Sequence, residues 1–84
     1  MKVTIHKQLH QDKAAYCTYT IAGRKDPIVE VYITDKGALV LGATTTGGYM
    51  RRHYKTIKAA LRWANSYAVT FCRYYWDEAK ISQI

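Results

Sequence analysis

The chain has 84 residues, of which 49% are hydrophobic and 23% charged, so it can form one compact core and is too short for two. Thirteen Lys and Arg against six Asp and Glu give a net charge of +7, which favours an acidic partner: nucleic acid, an acidic protein surface or an anionic membrane. We predict a cytoplasmic protein with no membrane partner, because no apolar run approaches the roughly 18 residues of a membrane span and the N-terminus lacks a signal-type apolar segment.

The opening third of the chain alternates apolar and polar residues, which is the period of half-buried β-strands. Val3, Ile5 and Leu9 alternate with polar residues in a first predicted strand. Residues 15–21 repeat the pattern in a second strand. Residues 22–27 follow as a turn cluster that contains Gly and Pro.

Residues 29–34 alternate again and predict a third strand. Asp35, Lys36 and Gly37 are typical of a three-residue hairpin loop, with the glycine in the left-handed conformation. Residues 38–43 should therefore pair back on the third strand, so that strands two to four form a meander. Residues 44–54 fit either a loop or a hairpin that turns at two glycines, and we favour a short fifth strand.

Beyond Tyr54 the period changes to that of a helix. The apolar positions, spaced three or four apart, are Ile57, Leu61, Ala64, Ala68, Phe71 and Tyr75. With Thr56 as N-cap, we predict a helix from about 56 to 78, roughly 34 Å long, followed by a tail (80–84) that frays or adds a turn. The predicted fold is α+β: a single domain, 1–84, with an antiparallel sheet of four to five strands, about 2–54, packed against one long C-terminal helix.

Positive charge is concentrated where the predicted sheet gives way to the helix. The cations of this stretch are Arg51, Arg52, His53, Lys55, Lys58 and Arg62. On a helix, Lys58 and Arg62 project away from the apolar stripe, so the group predicts one basic strip that can follow a phosphate backbone.

Tyrosines accompany this basic strip. Tyr49 and Tyr54 flank the arginines, and Tyr16 and Tyr32 are predicted to share one sheet face. Aromatic rings beside guanidinium groups are suited to stacking on bases. An equally weighted interpretation is a solvated basic face whose tyrosines complete the rim of the core.

The helix carries more aromatic side chains than its apolar stripe requires. A helix about 11 Å across cannot hide Trp63, Tyr67, Tyr74 and Trp76 against one sheet. Exposed Trp and Tyr anchor many interfaces, so Trp63 and Trp76 are a candidate protein interface, with a homodimer as one option. Packing at the periphery of the core is the alternative interpretation.

Side chains that carry catalytic or metal chemistry are few, which favours a non-enzymatic binding protein without cofactor or metal. His6 and His10 are four residues apart but have no Cys, Asp or Glu ligands nearby, and no acids pair as a general acid and base. Cys17 and Cys72 form no CxxC motif. We interpret them as buried thiols in a reducing compartment, with one bridge between them as the alternative.

Residues 54–64, YKTIKAALRWA, are similar to the basic-aromatic-Thr entry into an alanine-rich helix in the arm-type DNA-binding domains of phage integrases. The resemblance extends over residues 15–68 and implies three antiparallel strands before a helix, with the sheet face entering the major groove of DNA. By resemblance, the residues that face DNA are Tyr16, Thr18, Tyr32 and those near Arg51 and Arg52. This chain departs from the family in its extra first strand, its longer helix and its less basic central hairpin, and we expect no integrase catalytic domain to follow.

Two functions are consistent with these patterns. The first is binding of nucleic acid, DNA rather than RNA, or of a nucleoprotein through the basic strip. The second is suggested by the chain's size, which resembles that of small phage-encoded accessory proteins, including anti-CRISPR and other anti-defence inhibitors. Such an inhibitor would dock the basic strip and the Trp63 and Trp76 region on an acidic or nucleic-acid-binding site of a host protein.

Overall fold

The computed structural model describes all 84 residues, Met1 to Ile84, and shows an α+β fold in which one helix packs on one face of a six-stranded sheet. The elements, in chain order, are β1 (Lys2–Leu9), β2 (Cys17–Ile21), β3 (Val29–Thr34), β4 (Gly37–Ala43), β5 (Tyr49–Tyr54), α1 (Ile57–Arg73) and β6 (Glu78–Gln83). The strand order across the sheet is β5-β4-β3-β2-β1-β6.

The antiparallel meander is confirmed, and so is the fifth strand. Neighbouring strands from β1 to β5 pair antiparallel, and β4 and β5 are joined by residues 44–48, with Gly47 at φ +93°. The β3–β4 hairpin forms as predicted, although Thr34 pairs with Gly37, which leaves only Asp35 and Lys36 in the loop. The register of the meander therefore follows from local alternation and turn residues.

The prediction of four to five strands, all antiparallel, was wrong, because the tail forms a sixth strand, β6, which pairs parallel to β1. Parallel pairing needs a long crossover, and α1 supplies it by crossing the sheet from the β5 edge to the β1 side. Ala79 and Ile81 of β6 are half-buried against the core, and this stabilises a strand that we expected to fray or extend the helix. The sheet is thus mixed, with β5 and β6 as its two edges.

The helix is shorter than predicted and ends at Arg73 instead of residue 78. The backbone N–H of Tyr74 donates to Phe71 O at 3.2 Å, and that of Trp76 donates to Cys72 O at 2.9 Å. These bonds close the last turn and redirect the chain toward β6. The start of the helix is as predicted, since Thr56 Oγ1 accepts a hydrogen bond from the Ala59 N–H at 3.1 Å.

A line of small residues lies between the helix and the sheet. The fully buried residues are Ala60, Ala64, Ala68 and Cys72, which confirms Ala64 and Ala68 of the predicted stripe. Of the other predicted members, Ile57, Leu61 and Phe71 are only partly buried, and Tyr75 is exposed. Small side chains let the helix approach the sheet closely, while the larger ones pack along its two flanks. The approach also requires Gly42, where a Cβ would lie 2.6 Å from Cε1 of Tyr67.

One polar contact ties the helix to the centre of the sheet. The Tyr19 ring is fully buried, and its hydroxyl donates to Oδ1 of Asn65 on the helix. Burial raises the pKa of Tyr19, so the hydroxyl stays protonated and remains a donor. No helix of the structure is long and apolar enough to cross a membrane.

The other side of the sheet is not covered by any element of the chain, and we call it the open face. Directly paired residues share a face, so the strand register assigns its members without ambiguity. Between β1 and β5 the open face includes His6, Gln8, His10, Tyr16, Thr18, Thr20, Glu30, Tyr32, Leu39, Leu41, Tyr49, Arg51 and His53.

Candidate nucleic-acid interface

The predicted basic strip lies at the β5 edge of the sheet, where the strand divides it between two faces. Arg51 and His53 pair with Leu41 and Leu39 and so project onto the open face. Arg52 pairs with Val40, a core residue, and therefore projects to the helix side. Successive side chains of a strand point to opposite faces, so the cations surround the edge and do not form one flat strip.

On the helix side of the β5 edge, the basic strip packs against aromatic rings. The guanidinium carbon of Arg52 lies 5.6 Å from the Trp63 ring centroid, within cation–π range, and the Tyr54 ring centroid lies 6.1 Å from that of Trp63. The Trp63 ring in turn stacks on Tyr67 at 4.8 Å between centroids. Arg52 is exposed to solvent yet supported by a ring, which reduces the conformational entropy it would lose on binding an anion.

The remaining cations follow directly in the chain. Lys55 lies between β5 and α1, and Lys58 and Arg62 are exposed on the first two turns of the helix. No acidic residue occupies the first turn, so the positive end of the helix dipole adds to their charge. The β5 basic cluster, as we name it, consists of Arg51, Arg52, His53, Lys55, Lys58 and Arg62.

The charges of the β5 basic cluster are not neutralised by neighbouring acids. None of its six members has a carboxylate oxygen within 4 Å, and all six are exposed. The two ion pairs of the protein join the Met1 amino group to Asp77 at 2.6 Å and Lys2 to Glu78 at 3.5 Å. Both pairs lie at the β6 edge, so no ion pair offsets the charge of the β5 basic cluster at the opposite edge.

The four tyrosines predicted to join this site are distributed over both faces. Tyr16 and Tyr32 share the open face, as expected, and Tyr49 at the start of β5 is 61% exposed. Tyr54 lies on the helix side against Trp63. The structure therefore brings Tyr16 and Tyr32 onto the same face as Arg51 and His53, but not next to Arg52.

The centre of the open face combines aromatic and aliphatic side chains with one acid. One row across the strands is Tyr16, Tyr32, Leu39 and His53, and the next is Thr18, Glu30, Leu41 and Arg51. The Tyr32 hydroxyl donates to a Glu30 carboxylate oxygen at 2.8 Å, and this bond is the main cause of the raised pKa of Tyr32. Glu30 is thus held by a neighbour within the face.

A cationic hollow on the β1–β2 side of the open face was missed by the sequence analysis. It measures about 290 Å³, and its lining includes His6, His10, Lys13, Thr18 and Lys25 but no acidic side chain. His10 Nε2 lies 2.7 Å from Thr18 Oγ1. Lys13 and Lys25 come from two different loops, so only the folded register of β1 and β2 brings them together.

The two tryptophans named as a possible protein interface are both half-buried. Trp63 packs under Arg52, and the Trp76 ring lies 5.8 Å from the Arg24 guanidinium carbon. The aromatic side chains exposed near the end of the helix are instead Tyr74, at 74%, and Tyr75, at 53%. The early end of α1 explains the difference, because residues 74–76 turn away from the helix axis.

The cysteines and histidines take no part in a metal or disulfide site. Cys17 and Cys72 are free thiols, fully buried, and burial raises the pKa of each. A bridge between them, the alternative left by the sequence, is therefore absent. No group of three or more His, Cys, Asp or Glu side chains lies close enough together to hold a metal ion.

Comparison of the chain with protein-family models, with curated proteins and with solved structures finds no match in any of the three. The resemblance to integrase arm-type domains therefore remains a prediction. The class that the structure defines is an α+β protein with a mixed six-stranded sheet, one uncovered sheet face and one basic edge. Any function has to be argued from that geometry.

Proposed function

We propose that the protein is a non-enzymatic binding protein that engages nucleic acid through the β5 basic cluster. The observation that carries the proposal is the set of five exposed Lys and Arg side chains, with His53 among them, at one edge of the sheet and with no carboxylate within 4 Å. Lys and Arg that neutralise phosphates release condensed counterions, and this release supplies most of the non-specific affinity for nucleic acid.

The arrangement of the cluster supports a phosphate backbone as its ligand. Three of its members lie on strand β5 and two on the first two turns of α1, with Lys55 between the two elements, so they follow one another along one edge of the sheet. The Trp63 ring orients the Arg52 guanidinium, and the positive end of the α1 dipole adds to the attraction of the cluster for anions. Phosphates are the commonest ligands of such arrays, and aromatic side chains on the adjoining open face can contact bases.

The nucleic-acid class and the location of the protein follow from other observations. Preference for DNA over RNA rests on the resemblance to arm-type domains alone. An intracellular location rests on the free, buried thiols Cys17 and Cys72, since free cysteines are typical of reducing compartments.

A second candidate function is an inhibitor of phage type that docks on a host protein. It is favoured by the exposure of Tyr74 and Tyr75, because tyrosines often anchor protein interfaces. In this alternative the β5 basic cluster would occupy an acidic or nucleic-acid-binding surface of the partner, with the tyrosines at the side of the contact.

Affinity purification with and without nuclease separates the two functions. Tagged protein is captured from a bacterial lysate, and half of the sample is digested with a nuclease that cleaves DNA and RNA. We expect nucleic acid to co-purify and every associated protein to be lost after digestion, because the cluster binds phosphates directly. A stoichiometric protein partner that survives digestion, with no nucleic acid in the undigested sample, would refute the first function in favour of the second.

A further inference from the structure

We infer that the nucleic acid is single-stranded and lies across the open face, with its bases on Tyr16 and Tyr32 and its phosphates on the cationic margins of that face. The inference rests on the proposed function and adds the class of nucleic acid and the surface. It differs from the mode implied by the integrase resemblance, in which a sheet enters the major groove of a duplex.

The width of the sheet opposes entry of the open face into a duplex. Strands are spaced about 4.8 Å apart, so six of them span roughly 24 Å, about twice the 12 Å width of the major groove of B-DNA. A three-stranded sheet would measure only about 10 Å between its outer strands and would fit. The sheet has three strands more than the integrase resemblance implies, and this added width blocks a face-on approach.

The chemistry of the open face suits a strand whose bases are unpaired. The Tyr32 ring lies on β3 with Leu39 beside it on β4, and Tyr16 directly precedes β2, where its carbonyl oxygen accepts a hydrogen bond from the His10 N–H. All three side chains are partly accessible to solvent. Unpaired bases expose apolar faces that stack on such rings, whereas a duplex keeps its base faces inside.

Cations lie on both sides of this aromatic centre. Arg51 and His53 border it on the β5 side, and the hollow that contains His10, Lys13 and Lys25 borders it on the β1–β2 side. From β2 to β5 there are three strand spacings, or about 14 Å, a distance that a short segment of extended single strand can cross. Both ends of such a segment would meet positive charge.

The single acid of the centre fits bases better than phosphates. Glu30 lies between Thr18 and Leu41, where its charge would repel a backbone that ran over the middle of the sheet. A carboxylate can instead accept hydrogen bonds from the exocyclic amino groups of bases, such as N4 of cytosine. Glu30 therefore directs bases inward and phosphates toward the cationic margins.

The test compares fluorescently labelled mixed-sequence single strands of twelve nucleotides with duplexes of the same length, by anisotropy at about 0.1 M salt. We expect the wild-type protein to bind the single strand at least about tenfold more tightly than the duplex. Tyr32→Ala should weaken single-strand binding by about tenfold, whereas Tyr32→Phe, which keeps the ring, should change it less than about twofold. Tyr74→Ala is the matched control on the exposed turn after α1 and should have no effect.

The failure of this inference can be told apart from the failure of the proposed function. Equal or tighter binding of the duplex, or an unchanged affinity for Tyr32→Ala, would overturn the single-strand assignment while leaving nucleic-acid binding intact. Binding of neither oligonucleotide would overturn both. If Tyr32→Ala melts at a lower temperature than wild type, NMR titration of the wild-type protein decides: we expect shifts at Tyr16, Tyr32 and Leu39, and shifts confined to the helix side would overturn the inference.

Discussion

Reversing both arginines of β5, in the double variant Arg51→Glu and Arg52→Glu, is expected to lower the affinity for nucleic acid by about a hundredfold at 0.1 M salt. At this salt concentration, each lost phosphate contact lowers the affinity for nucleic acid about fivefold, because fewer counterions are released on binding. The two new carboxylates also repel the phosphate backbone. Arg51 acts on the open face and Arg52 on the helix side, so the double variant disables both halves of the β5 basic cluster. The measurement is an anisotropy titration with the labelled oligonucleotides.

The matched control makes the same change of charge at the other edge of the sheet. Arg73 and Lys80 are exposed and lie together beside β6, away from the β5 basic cluster. Their reversal to Glu should reduce affinity by no more than about fivefold, because a Debye length of about 10 Å screens charges at that separation. Equal losses in the two double variants, both with wild-type melting temperatures, would contradict a localised site.

Gly37→Ala is expected to cost about 3 kcal/mol or more of the free energy of unfolding. Gly37 has φ +137°, a conformation that side chains rarely adopt, and an added Cβ would overlap the carbonyl oxygen of Tyr54 on the neighbouring strand. That oxygen belongs to the backbone of the β4–β5 pair, so it cannot move without disturbing the pairing of Ala38 with Tyr54. Chemical denaturation monitored by tryptophan fluorescence measures the loss.

Gly47→Ala separates backbone strain from steric overlap as causes of the lost free energy of unfolding. Gly47 also has a positive φ, +93°, but no atom lies within 4 Å of an added Cβ. Its substitution should cost about 1 kcal/mol, the effect of backbone strain alone. If the two variants lost equal stability, the close approach of β4 to the end of β5 would not be the cause.

The parts of the fold that the sequence predicts are those with local causes. The meander from β2 to β4 follows from alternation and turn residues, and the start of α1 follows from Thr56 as a cap. Strand β6 has no such local cause. It forms because Ala79 and Ile81 meet β1 at the far end of the chain, and the alternation of six residues cannot indicate a partner more than seventy residues away.

In the candidate site, too, the sequence predicts the features with local causes and misses those that depend on contacts between distant residues. The β5 basic cluster could be found from the sequence because its members all lie between residues 51 and 62. Its division between two faces depends on whether residues 49–54 form a strand, which the sequence left open. The cationic hollow was missed because Lys13 and Lys25 lie on separate loops, and no spacing rule connects them.

The dependence of affinity on salt concentration tests the central claim most directly. If phosphates bind the β5 basic cluster, log K for a single-stranded oligonucleotide should fall linearly with log salt concentration, with a slope of about −2 to −3.5 for three to five contacts. Arg51→Glu with Arg52→Glu should make this slope shallower by about 1.4, and Arg73→Glu with Lys80→Glu should leave it unchanged. A slope near zero for the wild-type protein would contradict the account, because binding would then not depend on these cations.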